Sequence, residues 1–206
     1  MKKENHQLLL LLIMMYSGSH FAWSQERTFL KNDISVGYGI GTSNEILDLA
    51  EDTFSSLFTL GNYRVDRDYT GGFFLSYKRQ VSKRIKVGGS FVYEYSSGTT
   101  FRKEDNTFKE TGEVSANNYT IAAEGNYLYL NHTKFQLYSG IGAGVSFAKE
   151  KYSPNEPSSG SDDDSLSHFN FHLNAIGLRY GNKLGVFAEA GFGYKGIINM
   201  GASYRF

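Results

Sequence analysis

From Ile34 onward the chain repeats with a period of two. In the stretch ISVGYGIG, the large apolar residues Ile34, Val36, Tyr38 and Ile40 alternate with Ser35, Gly37, Gly39 and Gly41. The same alternation runs through TGGFFLSYKR, IKVGGSFVYEYS, NYTIAAEGNYLYL, FQLYSGIGAGVSFA, FNFHLNA, LGVFAEAGFGY and IINMGASYRF. Successive side chains of a strand point to opposite faces, so each stretch predicts a strand with one large apolar face and one small or polar face. The sixth stretch loses its phase at IGLRYG, where a bulge or the end of the strand is expected.

Eight strands follow, most near ten residues long. About 9 to 11 tilted residues cross the hydrocarbon core of a bilayer, whereas ordinary strands average about 5 to 6. Polar linkers at 42–68, 97–117 and 149–167 follow strands one, three and five, while QVSKR, NHTK and YGNK are turns. The last outer connection, around GYKG, is short. This alternation predicts an all-β fold: an eight-stranded antiparallel up-and-down transmembrane β-barrel with long outer loops and short periplasmic turns. A soluble lipocalin-like barrel would place its apolar residues inside. Here Lys78, Lys86, Glu94, Glu124, Glu189 and Arg205 share a face with Gly and Ser, which suits a narrow polar lumen. Charge facing lipid would cost about 2 to 4 kcal/mol near the midplane. These six and His172 are expected to form a polar network inside the barrel, and the acids and bases to pair, because unpaired buried charge is costly.

One helix is predicted, in the first outer linker. TSNEILDLAEDTFSSLFTLG opens with Thr42 and Glu45 at capping-box spacing and closes at Gly61, a suitable C-terminal cap. Ile46, Ala50, Phe54 and Leu57 fall on one face, and Glu45, Asp48, Glu51 and Asp52 make the N-terminal half acidic, as the helix dipole favours. Such a segment can cap the barrel mouth, lie at the membrane surface or meet a partner, and capping is the preferred expectation. The other two outer linkers are polar and read as mobile surface loops, where an extracellular ligand would bind.

Composition narrows the partners. Lysine and arginine number 21 against 21 acidic residues, so the basic excess of a nucleic-acid binder is lacking. With 16 Phe, 15 Tyr and 23 Gly against 2 Pro, the chain favours continuous strands. No Cys is present, which removes disulfides and thiolate metal sites. At the N-terminus, Lys2 and Lys3 precede the apolar run Leu8 to Met15, too short to span a bilayer, and Ala22 and Ser24 suit a signal-peptidase cut before Gln25. Residues 1–24 are therefore expected to be a signal peptide and 25–206 the barrel domain of an exported protein.

The final octet NMGASYRF, with Asn199, Gly201, Tyr204 and Phe206, resembles the C-terminal assembly signal of bacterial outer-membrane barrels. With the leader and the strand count, residues 25–206 resemble the small eight-stranded outer-membrane barrel family of OmpA and OmpX type from Gram-negative bacteria. That resemblance implies insertion into the outer membrane by the barrel assembly machinery, among lipid and lipopolysaccharide. Unlike the two-domain members of that family, this chain is expected to have no periplasmic domain after Phe206, so peptidoglycan binding is not implied.

A barrel of eight strands is just wide enough to be filled by side chains. A filled, non-enzymatic, monomeric barrel with surface loops for adhesion, protection or membrane integrity is therefore expected, against a narrow solute channel or a lipid A-modifying enzyme. For the enzyme, Ser165 and Ser167 near His168 are the candidates, but they sit at a loop edge and His172 has no Ser two residues on. The run Asp162 to Asp164 lacks calcium-loop spacing. No cofactor or metal is expected.

Overall fold

The computed structural model describes residues 30–58, 62–104, 107–155 and 162–206. The expected leader and Gly61 lie outside them. Eight strands alternate in direction: β1 (Asn32–Ile40), β2 (Tyr63–Gln80), β3 (Ile85–Glu104), β4 (Thr107–Asn131), β5 (Phe135–Pro154), β6 (Asp162–Gly181), β7 (Leu184–Gly193) and β8 (Ile198–Arg205). Each is hydrogen-bonded to the next, and β8 returns to β1 to close the ring. The seam is stitched end to end, from Asp33 opposite Arg205 to Ile40 opposite Ile198, with Phe206 N–H donating to the Asn32 carbonyl. Closure leaves no unpaired edge around the body of the barrel, which is how a sheet satisfies its backbone in lipid.

The alternation read from the sequence sets the two faces. Ile121, Ile141, Leu173 and Val186 point outward and are each more than half exposed, while Ser90, Glu124, Ser146 and Asn174 point inward and are buried. Near the turn end, Tyr77, Tyr127, Tyr129, Tyr180, Tyr204 and Phe206 are all exposed. Such a belt of aromatic rings marks a membrane–water boundary. On the outer half, Tyr38, Phe73, Tyr93, Tyr119 and Phe147 are register neighbours on five successive strands.

Several register shifts change which residues face in, and two of them bear on the lumen. Between Tyr69 and Gly72 the β2–β3 register shifts, and Gly71 takes a left-handed backbone conformation with φ 71°. Glycine adopts that conformation without strain. The inward set of β2 therefore switches from Tyr63, Val65, Arg67 and Tyr69 above the bulge to Phe74, Ser76 and Lys78 below it. On β6 the shift lies between Asn174 and Ile176, so the strand continues to Gly181 with Arg179 facing in. The sequence phase was lost there because a bulge inserts one residue and inverts every later side chain.

The strands are of unequal height. β1 reaches β2 only as far as Gly72, and β7 reaches β6 only as far as His172. Above those points β2 to β6 continue as a five-stranded wall, with β3 and β4 paired up to Glu104 and Thr107. This corrects the sequence expectation of long polar loops at 97–117 and 149–167: most of those residues are strand. Above the apolar belt both faces meet water, so the hydropathy contrast that identifies a strand vanishes while its hydrogen-bond ladder continues.

Between β1 and β2 lies the one helix among the described residues, α1 (Ser43–Phe58). Thr42 caps it, its Oγ1 accepting from the Glu45 N–H at 3.2 Å, and the Glu45 carboxylate accepts in return from the Gly41 N–H at 3.1 Å. The box thus closes one residue earlier than the sequence spacing suggests. The side chains of Glu51, Phe54 and Leu57 lie outside the described residues.

Candidate functional site

The lumen is filled by ionic and hydrogen-bonded side chains. At its middle, Glu124 on β4 pairs with Lys78 on β2 at 2.8 Å and with Lys195, while accepting a hydrogen bond from Ser90 at 2.7 Å. Lys195 belongs to the turn joining β7 and β8. That turn folds inward: Tyr194 and Lys195 are 0 % and 2 % exposed, Tyr194 donates to Glu124 at 3.0 Å, and the Lys195 ammonium donates to Ser76 and lies 4.8 Å from the Phe74 ring centre. A side chain at Gly142 would run into the Tyr194 hydroxyl, so glycine there makes room for the turn. The sequence identified GYKG only as a short connection. Its role as a plug was invisible because Lys195 lies off the strands, where parity says nothing about direction.

Toward the turn end, Lys86 on β3 pairs with Asp33 on β1 at 2.7 Å and donates to Gln136. Glu189 on β7 accepts from the Tyr138 hydroxyl at 2.8 Å. Arg205 and Arg179 then close the inner end by donating to the carbonyls of the turns: Arg205 to Gly181, Asn182 and Thr133, Arg179 to Gly181, Asn182 and Lys183. A cavity of about 30 Å³ remains among Lys78, Lys86, Tyr138, Arg179 and Glu189. That is room for about two waters.

The expected network is therefore only partly an acid–base one. Of the six strand charges singled out, only Lys78 and Glu124 pair with each other. Glu94, Glu189 and Arg205 are held by a hydroxyl, an amide or backbone carbonyls, which satisfy a buried charge as hydrogen-bond partners. His172 is buried in the lumen, its ring 5.2 Å from that of Tyr194, but neither nitrogen has a hydrogen-bond partner among the described groups. In the final octet, Asn199 points inward and is buried, while Tyr204 and Phe206 stack on the outside with centres 5.9 Å apart.

The mouth is closed by the start of α1. Glu94 accepts from Thr42 at 2.6 Å and from Asn44 at 3.1 Å; Ser43 donates to Asn170 at 2.8 Å, and Asn170 donates to Asn44 and Ser146. Higher up, Arg67 on β2 meets three carboxylates: Asp52 at 3.0 Å, Glu150 on β5 at 3.0 Å and Asp48 at 3.9 Å. Burial pushes the Asp48 carboxyl up to about 7, against the pull of Arg67 and with added repulsion from Glu94, Glu150 and Asp52. The sequence placed the cap correctly but named none of its partners, because they come from β2, β3, β5 and β6.

The serine–histidine arrangement needed for a nucleophile is not assembled. Ser165 and Ser167 are exposed and alternate with His168, which puts them on the opposite face of β6. Among the described residues no three metal-binding side chains come together.

No family model and no curated protein sequence matches the chain. Among solved structures it is similar to Ail, the attachment invasion locus protein of Yersinia pestis. The complex of Ail with the heparin analogue sucrose octasulfate is 17% identical, covering 85% of this chain and 98% of the other, with a TM-score of 0.47. A second structure of Ail has the same identity and coverage and a TM-score of 0.44. The architecture, an eight-stranded antiparallel up-and-down β-barrel, stands on the strand order and register described above.

Proposed function

We propose that this chain is an integral outer-membrane β-barrel, exported by a leader cleaved near Ser24, that conducts no solute and works above the bilayer in adhesion, surface protection or membrane integrity. The observation that carries this is the inverted polarity of the ring. In the closed part of the ring large apolar side chains face outward, while Asp33, Lys78, Lys86, Glu94, Glu124, Arg179, Glu189 and Arg205 are buried in a lumen that is plugged at the middle and closed at the inner end. In water that arrangement would expose a continuous apolar belt, whereas in lipid it costs nothing. Asn199, Gly201, Tyr204 and Phe206 serve in this proposal as the recognition signal for the assembly machinery. The five-stranded wall above the rim is the surface offered to an extracellular ligand, and the protein acts as a non-enzymatic monomer among lipid and lipopolysaccharide. Fractionation should find it in the outer membrane, and the purified barrel in a planar bilayer should show no discrete conductance. Stepwise conductance would establish a channel instead, and a changed lipid A acyl pattern in cells carrying the gene would establish an enzyme.

A further inference from the structure

Above the rim, a cavity of about 710 Å³ lies between α1 and the inner face of the wall. Sites for small organic ligands run from about 300 to 1,000 Å³. This one takes no part in the lumen network: Asn44, at its edge, is tied into the hydrogen-bonded latch that closes the mouth. Its lining has two characters. Leu47 on the helix and Ala148 and Leu166 on the wall give it apolar sides; Asp48, Glu150 and Asp164 give it three carboxylates.

The charge is unbalanced. Arg67 is shared among Asp48, Asp52 and Glu150, so one guanidinium faces three acids, and Asp164 adds a fourth at the cavity wall. Burial raises the proton affinity of Asp48, and repulsion from Glu94, Glu150 and Asp52 adds to it against the pull of Arg67. His168, also in the lining, keeps a buried Nε2 without a hydrogen-bond partner among the described groups. Because the described acids and histidine are not gathered closely enough to hold a metal ion, the cavity suits an extended organic cation better than a bare one.

We infer that this cavity binds a small amphipathic organic cation, an amine or guanidine carried on an apolar body. The cationic end sits between Asp48, Glu150 and Asp164, with the Nε2 of His168 accepting one of its protons in a hydrogen bond. The apolar body lies against Leu47, Ala148 and Leu166. The site requires only that the wall and helix stand as described, so it holds whether or not the lumen conducts.

The test uses the full folded barrel in a nonionic detergent, with 4-phenylbutylamine as probe and 4-phenylbutanol and 4-phenylbutyrate as controls, followed by ligand-observed NMR. Saturable binding of the amine is expected, with the alcohol at least about tenfold weaker and the acid silent, as loss of a charge-assisted contact implies. The double variant Asp48→Asn, Asp164→Asn should weaken the amine by at least the same factor. Leu166→Trp, which fills the cavity from the wall without touching the latch, should abolish binding. Each variant is checked for the gel-mobility shift of a folded barrel. Equal uptake of amine and alcohol, no saturable binding of the amine, or full binding by folded Leu166→Trp each overturns the proposal. Conductance is measured separately, so a failed site and a failed barrel reading give different results.

Discussion

Glu124 has the most demanding position of any residue in the barrel, since two ammonium groups, a phenol and a serine converge on it. Replacing it with glutamine keeps the shape but leaves Lys78 and Lys195 facing each other in a closed lumen. Breaking a buried ion pair in this way costs about 3 to 5 kcal/mol. Urea unfolding of the barrel in lipid vesicles, followed by gel mobility, should therefore show a clearly lower midpoint for Glu124→Gln, and an unchanged midpoint would refute the assignment. Glu124 and Lys78 were legible in the sequence because strand parity alone gives their direction. Arg179 was not, because the bulge between Asn174 and Ile176 inverts the parity before it. Nor was Asp33, which precedes the first obvious alternating run yet pairs with Lys86.

The elements that decide what passes through the mouth are the β7–β8 turn and α1. If Tyr194 and Lys195 hold the middle of the lumen together, the double variant Tyr194→Gly, Lys195→Gly should lower the urea midpoint, while planar bilayers still show no conductance because Arg179 and Arg205 keep the inner end closed. For α1, the sign follows from Asp48. Its ordinary value of 3.8 holds when the helix is undocked, and about 7 when it is docked, so between those values only the docked state keeps the proton. The Asp48 contribution to docking is fully present below about pH 4 and is lost as pH rises through 7. The groups that set this are Arg67 on β2, Glu94 on β3, Glu150 on β5 and Asp52 on the helix itself. Hydrogen exchange over 43–58, corrected for the intrinsic rate, should show more protection at pH 5 than at pH 8, and Asp48→Asn should remove the difference. At this scale the sequence was informative within the apolar belt, where burial contrast imposes alternation. It was misleading above it, where the residues near Phe101 and Tyr152 are held in strands by pairing with β4 and not by hydropathy.

For the whole molecule, the exterior divides into a part that meets lipid and a part that does not. Ile141→Arg, in the belt, should lower unfolding stability by about 2 to 4 kcal/mol, whereas Phe108→Arg, at the top of the wall, should change it little. Comparable losses at both positions would place the membrane boundary elsewhere. The order of strands in the chain has a further consequence for the plug. Lys195 arrives on the last hairpin, while its partners Ser76 and Glu124 lie 119 and 71 positions earlier, so the central charge cluster cannot form until β7 and β8 have joined the sheet. Until then Glu124 has only Lys78 as a cationic partner, and the forming lumen stays open to water. Sealing against solutes and electrostatic completion are thus one late event, governed by long-range closure and not by the early hairpins. A chain halted before that step would keep an open lumen and unfold easily, which ties the closed interior of the finished barrel to the kinetics of its own assembly.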